Sequence, residues 1–245
     1  MPRLLTICLA IGLIACQPDA SARTPSPSQV SIDGDQLVAT FYELVMAEDF
    51  TARTELTGLI TGGALQVSLH GTGSLSGGDG TMTLKLNTVS DTVELEEIYV
   101  GEDGYVREAG GVWQRLSRWQ INTSGAQLDP FAFLTSTDDL RYNGMVTHDG
   151  AELLALVNTR ALGLAGGSAA AALNVFGEAT RLQILVESDG TPVFLSYHMT
   201  VFLDESSGEK VAASGDIRQS FSEVGEPVVI EPPADFVEQP TPPPE

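Results

Sequence analysis

The sequence predicts an α+β domain built on a strongly curved antiparallel half-barrel sheet of about ten strands, with helices covering its concave side. Three observations lead to this fold class. Apolar residues alternate with polar or small ones from Thr51 to about Ser117, and glycine-rich breaks interrupt the alternation. An amphipathic stretch, residues 33–49, precedes this region. A later strand, residues 193–203, has bulky apolar side chains on both faces, so neither face is expected to be fully solvated.

The chain begins with a short apolar run that predicts a lipoprotein signal peptide, residues 1–15. In MPRLLTICLAIGLIA, Arg3 is followed by an apolar run over residues 4–15. A membrane-spanning helix needs about 20 apolar residues, whereas this run has the size of a secretory signal core. Its end, LIAC, is similar to a lipobox, in which Cys16 becomes the new N-terminus and receives acyl chains such as palmitate. The alternative is an ordinary secretory leader in which Cys16 is incidental.

The rest of the chain divides into a tether, one domain and a tail. Residues 16–30 are polar and rich in Pro and Ser, and as a coil they reach on the order of 20 Å. They would hold a single domain, residues 31–233, at the outer face of the cytoplasmic membrane or at another envelope membrane. Because Cys8 and Cys16 are the two cysteines, that domain has no thiol for a disulfide, a metal or catalysis. Residues 234–245 are proline-rich and predict a disordered tail.

The composition excludes nucleic acid as a partner. The chain has 33 acidic and 12 basic residues, a formal net charge of −21, and the basic residues are scattered. Phosphate backbones are bound by clustered Lys and Arg. The same charge disfavours adsorption to anionic lipid, which makes a covalent anchor useful. We interpret the acidity as a source of solubility.

The amphipathic stretch DGDQLVATFYELVMAED, residues 33–49, predicts the first helix. Either Asp33 or Asp35 can cap its N-terminus. Its apolar stripe, which we expect to cover the sheet, comprises Leu37, Phe41, Leu44 and Val45.

The alternating segments predict strands joined by tight turns. TELTGLI, ALQVSLHGTGSL, TMTLKLNTV and VELEEIYV form an antiparallel meander, and Met82, Leu84 and Leu86 share one face of the third strand. LRYNGMVTHDGAELLALVNTR predicts a hairpin that turns at residues 148–150. Residues 180–224 predict three more strands.

Two further segments predict helical cover over an apolar pocket. Residues 129–134, DPFAFL, predict a helical turn opened by Asp-Pro, and the Ala-rich residues 163–179 predict a second helix that its glycines weaken. Ala and Gly fill little volume, which favours a hollow beneath this helix over a solid core. No charged residue is expected at the bottom of such a pocket, because an unpaired buried charge is costly. The residues expected to line it are Leu37, Phe41, Leu44, Val45, Phe131, Phe133, Leu134, Leu173, Phe176, Leu182, Ile184 and Val186.

In their order and spacing, these segments resemble the LppX/LprG-type lipoproteins of mycobacteria, a branch of the LolA/LolB-like superfamily. The resemblance rests on LIAC with its tether, on the first helix, and on the strand pair ending in HGTGSL. It continues in IYVGEDGYVREAGGVWQRL, with Tyr105 and Trp113 on either side of a glycine turn. It ends at FSEVGEPVVIEPP, residues 221–233, which is similar to the closing strand of the family. It covers roughly residues 30–233.

The resemblance implies an exported, anchored lipoprotein that binds an acylated lipid in the hollow of a half-barrel. The family has no catalytic motif. The sequence itself shows no nucleophile, dinucleotide or phosphate-binding motif, and His70, His148 and His198 lie far apart in the chain. We therefore expect no enzyme, no cofactor and no metal. The alternative is a non-catalytic cell-envelope interaction module with the same fold, a filled core and a protein partner; an unrecognised hydrolase ranks third.

Overall fold

The computed structural model describes most of the predicted domain. It covers residues 32–63, 65–116, 130–131, 134–160, 162–164, 176–204 and 210–238, with the backbone alone for 65, 162–164, 176–179, 201–204 and 210–211. The chain divides into a unit Met1–Ile32 and a unit Asp33–Glu245. Every element given below lies in the second unit.

The described residues form one α-helix, one 3₁₀ helix and thirteen strands. The α-helix, α1, is Gly34–Val45, and the 3₁₀ helix is Thr137–Asp139. Neither of these helices has the length and apolarity needed to cross a membrane. The strands are β1 (Thr51–Gly62), β2 (Leu65–Ser76), β3 (Asp79–Asn87), β4 (Thr92–Val100), β5 (Asp103–Glu108), β6 (Gln114–Arg115), β7 (Leu140–His148), β8 (Ala151–Asn158), β9 (Leu162–Leu164), β10 (Phe176–Val186), β11 (Pro192–Asp204), β12 (Lys210–Ser222) and β13 (Val237–Glu238).

The strands form one open, curved sheet in which two meanders meet. The order is β13-β6-β5-β4-β3-β2-β1-β12-β11-β10-β8-β7, and β9 pairs with β10. Antiparallel pairing of β1 with β12 joins the two meanders, and among the described pairs only β6 and β13 run parallel. The antiparallel sheet is confirmed. The described residues form thirteen strands, whereas about ten were predicted. The prediction missed β6, β9 and β13, because strands of two or three residues are too short to show alternation in the sequence.

Helix α1 forms where the apolar stripe predicts it. The Asp33 carboxylate caps it by accepting the backbone N–H groups of Asp35 and Gln36, at 3.1 and 3.2 Å. The helix ends at Val45 rather than continuing to residue 49, because the chain turns into β1 and the Phe50 carbonyl accepts the N–H of Gly77.

Cross-strand register defines two faces of the sheet. One continuous row runs from β10 to β4 and consists of Ile184, Leu195, Gln219, Leu56, Gly71, Leu84 and Leu95. We call the face that bears this row the inner face and the opposite one the outer face. The alternation of β3 is confirmed, since Met82 and Leu84 are buried on the inner face while Thr83 and Lys85 are exposed on the outer face.

A β-bulge in β10 resets the alternation of that strand. Arg181 and Leu182 both lie opposite the single residue Tyr197. Leu182 is buried, and Arg181 is exposed with a φ of +53°. The hairpin of β7 and β8 has no such irregularity at its tip: it turns at Asp149 and Gly150 as predicted, both with positive φ.

The prediction of a second helix over residues 163–179 is wrong at both ends of that range. Residues 162–164 form β9, and residues 176–179 belong to β10, which pairs with β11 and β9. Two neighbouring strands offer backbone partners there, whereas glycines weaken the helix. Residues 165–175, which include Leu173, lie outside the described residues.

The prediction of a closing strand over residues 221–233 is also wrong beyond residue 222. Strand β12 ends at Ser222, because Glu223 and Gly225 adopt positive φ and Pro227 has no N–H to donate. Phe221 is buried, but most of the following residues are exposed.

The predicted disordered tail begins too early. Within residues 234–245, Val237–Glu238 form β13, and the Val237 N–H bonds the Trp113 carbonyl at 2.9 Å. Phe236 packs edge-on against Tyr105 with ring centroids 5.1 Å apart. The domain therefore extends at least to residue 238, because a backbone pair and one ring are enough to hold a segment that has no strand pattern.

Candidate functional site

An aromatic core fills the space between α1 and the sheet. Phe131 is 0 % exposed and lies at its centre. Its ring meets the edges of Phe41 and Phe50 at centroid distances of 5.6 and 6.0 Å, and it stacks on Phe221 of β12 at 5.1 Å. The turn that presents Phe131 is closed by a 2.8 Å hydrogen bond from the Leu134 N–H to the Phe131 carbonyl.

The structure brings most of the predicted pocket residues into this core. The buried members are Leu37, Phe41, Val45, Phe131, Leu134, Leu182, Ile184 and Val186, and Leu44 is half-buried. Phe133, Leu173 and the lipidation residue Cys16 lie outside the described residues, as does the side chain of Phe176. Burial against one another is what a core requires, so contact of these residues with a ligand stays a prediction.

A second group of apolar side chains lies on the inner face of the other meander. We call it the apolar patch. Its buried members are Met82, Leu84, Tyr99 and Leu116, and its half-buried members are Leu56, Leu69, Leu86 and Val106. The sequence showed the alternation of β3, but a single strand pattern does not tell a patch that meets a ligand from ordinary core.

Glycines make this part of the inner face low and smooth. A Cβ on Gly58 would lie 2.5 Å from Ile217 Cδ1 and 2.9 Å from Leu69 Cδ1, and one on Gly71 would lie 3.2 Å from Leu84 Cδ1. The neighbouring apolar side chains therefore lie flat over the glycine backbone. This part of the inner face is therefore a shallow apolar surface formed by side chains that lie along the sheet.

The ionisable side chains on the inner face include Glu97 and Tyr197. Glu97 is 4 % exposed and stands between Met82 and Val106 in the register, within the apolar patch. The alternation of VELEEIYV already places Glu97 on the face of Leu95 and Tyr99. Loss of hydration raises the pKa of the Tyr197 hydroxyl, on the same face, to about 12.

Glu94 and Glu96 of β4 lie on the outer face of the first meander. Glu94 is exposed, and Glu96 accepts a hydrogen bond from Arg107 Nη2 at 2.6 Å. The Arg107 guanidinium lies over the Trp113 ring, 4.4 Å from its centroid, so Trp113 packs within its hairpin. Within the described residues, no three His, Cys, Asp or Glu side chains are grouped so as to hold a metal ion.

Comparison with known proteins gives no family for the chain. No protein-family model and no curated protein matches it. Among solved structures, it is similar to a DUF1329 family protein from Desulfovibrio piger at 13% identity and a TM-score of 0.31, over 78% of this chain and 90% of that one. A putative outer membrane lipoprotein-sorting protein domain from Vibrio parahaemolyticus is 9% identical with a TM-score of 0.27, over 78% and 91% of the two chains. A LolA superfamily protein from Nitrosomonas europaea is 11% identical with a TM-score of 0.30, over 78% and 92%. TM-scores of this size do not establish a shared fold.

Proposed function

We propose that this protein is a non-catalytic, exported lipoprotein of the cell envelope that binds or carries a lipid or another long apolar molecule. The observation that carries the proposal is the apolar patch. Four of its eight side chains are only half-buried, although all belong to the face on which the core is built. A ligand that covered them would complete the burial that α1 provides for the other meander.

The dimensions of the patch suit a long apolar chain. It extends over β1 to β5, and neighbouring strands lie about 4.8 Å apart, so the patch is about 19 Å wide. Burial of each methylene group contributes about 0.8 kcal/mol. A ligand with many methylenes therefore gains much more from this surface than a small one.

The packing of the aromatic core supports a position for the ligand outside the space beneath α1. Phe131 packs against the rings of Phe41, Phe50 and Phe221 and occupies the volume beneath α1. We therefore place the ligand over the apolar patch rather than under α1.

Binding can be tested on the soluble Cys16→Ser chain after removal of bound lipid. We expect saturable binding of a fluorescent fatty acid, and about tenfold weaker binding when Leu69 and Leu86 are both changed to Gln, because polar amides then face the acyl chain. These two residues are register partners on the inner face. The matched control changes Thr72 and Thr83 to Gln, since they are register partners on the outer face of the same strands.

The carrier proposal would be contradicted if the folded parent chain showed no saturable binding of the fatty acid. Equal weakening by both pairs of substitutions would also contradict it. The alternative is a non-catalytic interaction module with a filled core, for which the close packing of Phe131 is the supporting observation.

The membrane anchor is tested separately. We expect Cys16→Ser to move the protein from the membrane pellet into the soluble exported fraction, because a single residue would carry the acyl chains. Cell fractionation followed by blotting measures this, and Cys8→Ser, within the predicted signal peptide, is the control. A Cys16→Ser chain that pellets as strongly as the parent would show that the lipobox interpretation is wrong.

A further inference from the structure

A depression of about 200 Å3 opens on the sheet beside the bulge of β10. We propose that it is a binding site for a phosphate group. It is separate from the apolar patch, and its lining differs in character. The residues that line it are Arg181, Ser196, Tyr197, His198, Asp216, Ile217 and Arg218.

Two cross-strand pairs build the floor of this site. Ser196 of β11 is the register partner of Arg218 of β12, and the next outer-face pair along the strands is His198 with Asp216. His198 Nδ1 lies 3.0 Å from Asp216 Oδ1. The single carboxylate of the depression is thus engaged by the imidazole, which leaves the two guanidinium groups for a ligand.

Both arginines of the depression have side chains without a partner among the described residues. Arg53, Arg107, Arg115 and Arg160 each pair with a carboxylate. The side chains of Arg181 and Arg218, like that of Arg141 on β7, form no ion pair or hydrogen bond with any described residue, and they are exposed. Arg181 and Arg218 differ from Arg141 in that they line one depression together. In a chain with a net charge of −21, two unpaired guanidiniums beside one depression are a local excess of positive charge.

The bulge is what places Arg181 at the site. Regular alternation would put either Arg181 or Leu182 opposite Tyr197, but the bulge accommodates both and sends only Leu182 into the core. Arg181 has a φ of +53°, a left-handed conformation that few residues other than glycine adopt. Backbone strain of this kind is concentrated at functional sites, where the surrounding structure maintains it.

Phosphate is the ligand that this chemistry fits. A guanidinium donates two parallel hydrogen bonds to two oxygens of a phosphate, and the Ser196 hydroxyl supplies another donor at the floor. A depression of this size has room for the phosphate and part of its ester substituent. Two sources provide the same group: a soluble phosphate ester and the headgroup of a phospholipid.

The test uses inorganic phosphate and the soluble full-length Cys16→Ser chain. Titration followed by two-dimensional NMR should give saturable shifts at Ser196, His198 and Arg218. Changing both Arg181 and Arg218 to Ala should weaken binding at least about tenfold, the effect of losing charge-assisted hydrogen bonds. Arg218→Lys should give an intermediate loss, because lysine keeps the charge but not the two parallel donors.

Arg141→Ala is the matched control, since Arg141 is exposed on β7 and its loss changes the net charge equally. It should leave phosphate binding unchanged. Circular dichroism and thermal unfolding of each variant show that the fold is retained, which is expected for substitutions of exposed side chains.

Vesicles distinguish the two sources. Binding to phosphatidylglycerol vesicles but not to phosphatidylcholine vesicles, lost in the double variant, would identify a headgroup; phosphate binding without vesicle binding would identify a soluble ester. The proposal is overturned if the parent shows no saturable response to phosphate or to anionic vesicles, or if the double variant binds as well as the parent. Neither result bears on fatty-acid binding, which involves the other meander.

Discussion

Replacement of Phe131 by Ala should lower the free energy of unfolding by about 3–5 kcal/mol, the usual cost of deleting a fully buried ring. Phe131 is 0 % exposed and contacts Phe41, Phe50 and Phe221. These rings belong to α1, to the turn before β1 and to β12. The substitution would therefore remove packing contacts with three parts of the fold at once. Denaturant unfolding of the soluble Cys16→Ser chain measures the change.

Phe236→Ala is the matched control for Phe131→Ala. Phe236 is 40 % exposed, and among the described aromatic rings it contacts Tyr105 alone. Its loss should cost about 1 kcal/mol, the value of one aromatic pair. Equal effects of the two substitutions would mean that Phe131 is not at the centre of the core, and the ligand could then lie beneath α1.

Replacement of Asp139 by Ala should lower the free energy of unfolding by about 3 kcal/mol, because it removes a buried carboxylate that accepts several charge-assisted hydrogen bonds. The carboxylate is 1 % exposed. It accepts hydrogen bonds from the Thr135 N–H at 2.7 Å, from the Thr135 hydroxyl at 2.9 Å and from the Ser136 N–H at 3.1 Å. Its other oxygen, Oδ1, accepts hydrogen bonds from Arg160 Nη2 at 2.6 Å and from Arg160 Nε at 3.0 Å. This network joins the start of β7 to the residues that follow β8.

The stabilisation by Asp139 should depend on pH in the acid range. Burial opposes ionisation of the carboxyl, but its hydrogen bonds with Thr135, Arg160 and Ser136 outweigh burial and lower its pKa below the usual value of 3.8. The ionised form therefore stabilises the fold above the pKa of the unfolded chain. That contribution is lost as the pH falls from about 4 through the lowered pKa of the folded protein.

Unfolding measured at pH 7 and near pH 3 tests this linkage. The difference in stability between the parent and Asp139→Asn should be large at pH 7 and should shrink in acid. Asp138→Ala, at the exposed neighbouring position, should stay within about 0.5 kcal/mol of the parent at both values. A parent-to-Asp139→Asn difference that did not change with pH would show that the carboxylate is not the stabilising form.

Patterns that repeat within one element were predictable from the sequence. The stripe of Leu37, Phe41 and Val45 predicted the buried face of α1, and the alternation of Met82 and Leu84 predicted the inner face of β3. Both patterns arise because burial follows the period of the backbone, which is a local property. The turn at Asp149 and Gly150 was predictable for the same reason, since two adjacent residues with positive φ have a characteristic composition.

The candidate sites were less predictable. Glu97 could have been found, because its position in the alternation of β4 is visible in the sequence. The depression could not, because it joins Arg181 to Ser196 and Arg218, which come together only through the pairing of β10, β11 and β12. The hollow was predicted beneath the Ala-rich residues 163–179, of which 165–175 lie outside the described residues, so that prediction is untested. The filling of the space beneath α1 by Phe131 depends on residues from distant parts of the chain.

By itself, the sequence determined that this protein has an antiparallel sheet with one amphipathic helix, in a strongly acidic chain with an apolar first segment ending at Cys16. Only the tertiary structure decided that β1 pairs with β12, that β9 and β13 are strands, and that the bulge at Arg181 sends Leu182 inward. The physical reason is the range of the interactions. Helical and strand periodicity are set by residues a few positions apart, whereas pairing, bulges and core filling depend on backbone partners and side-chain volumes from distant parts of the chain.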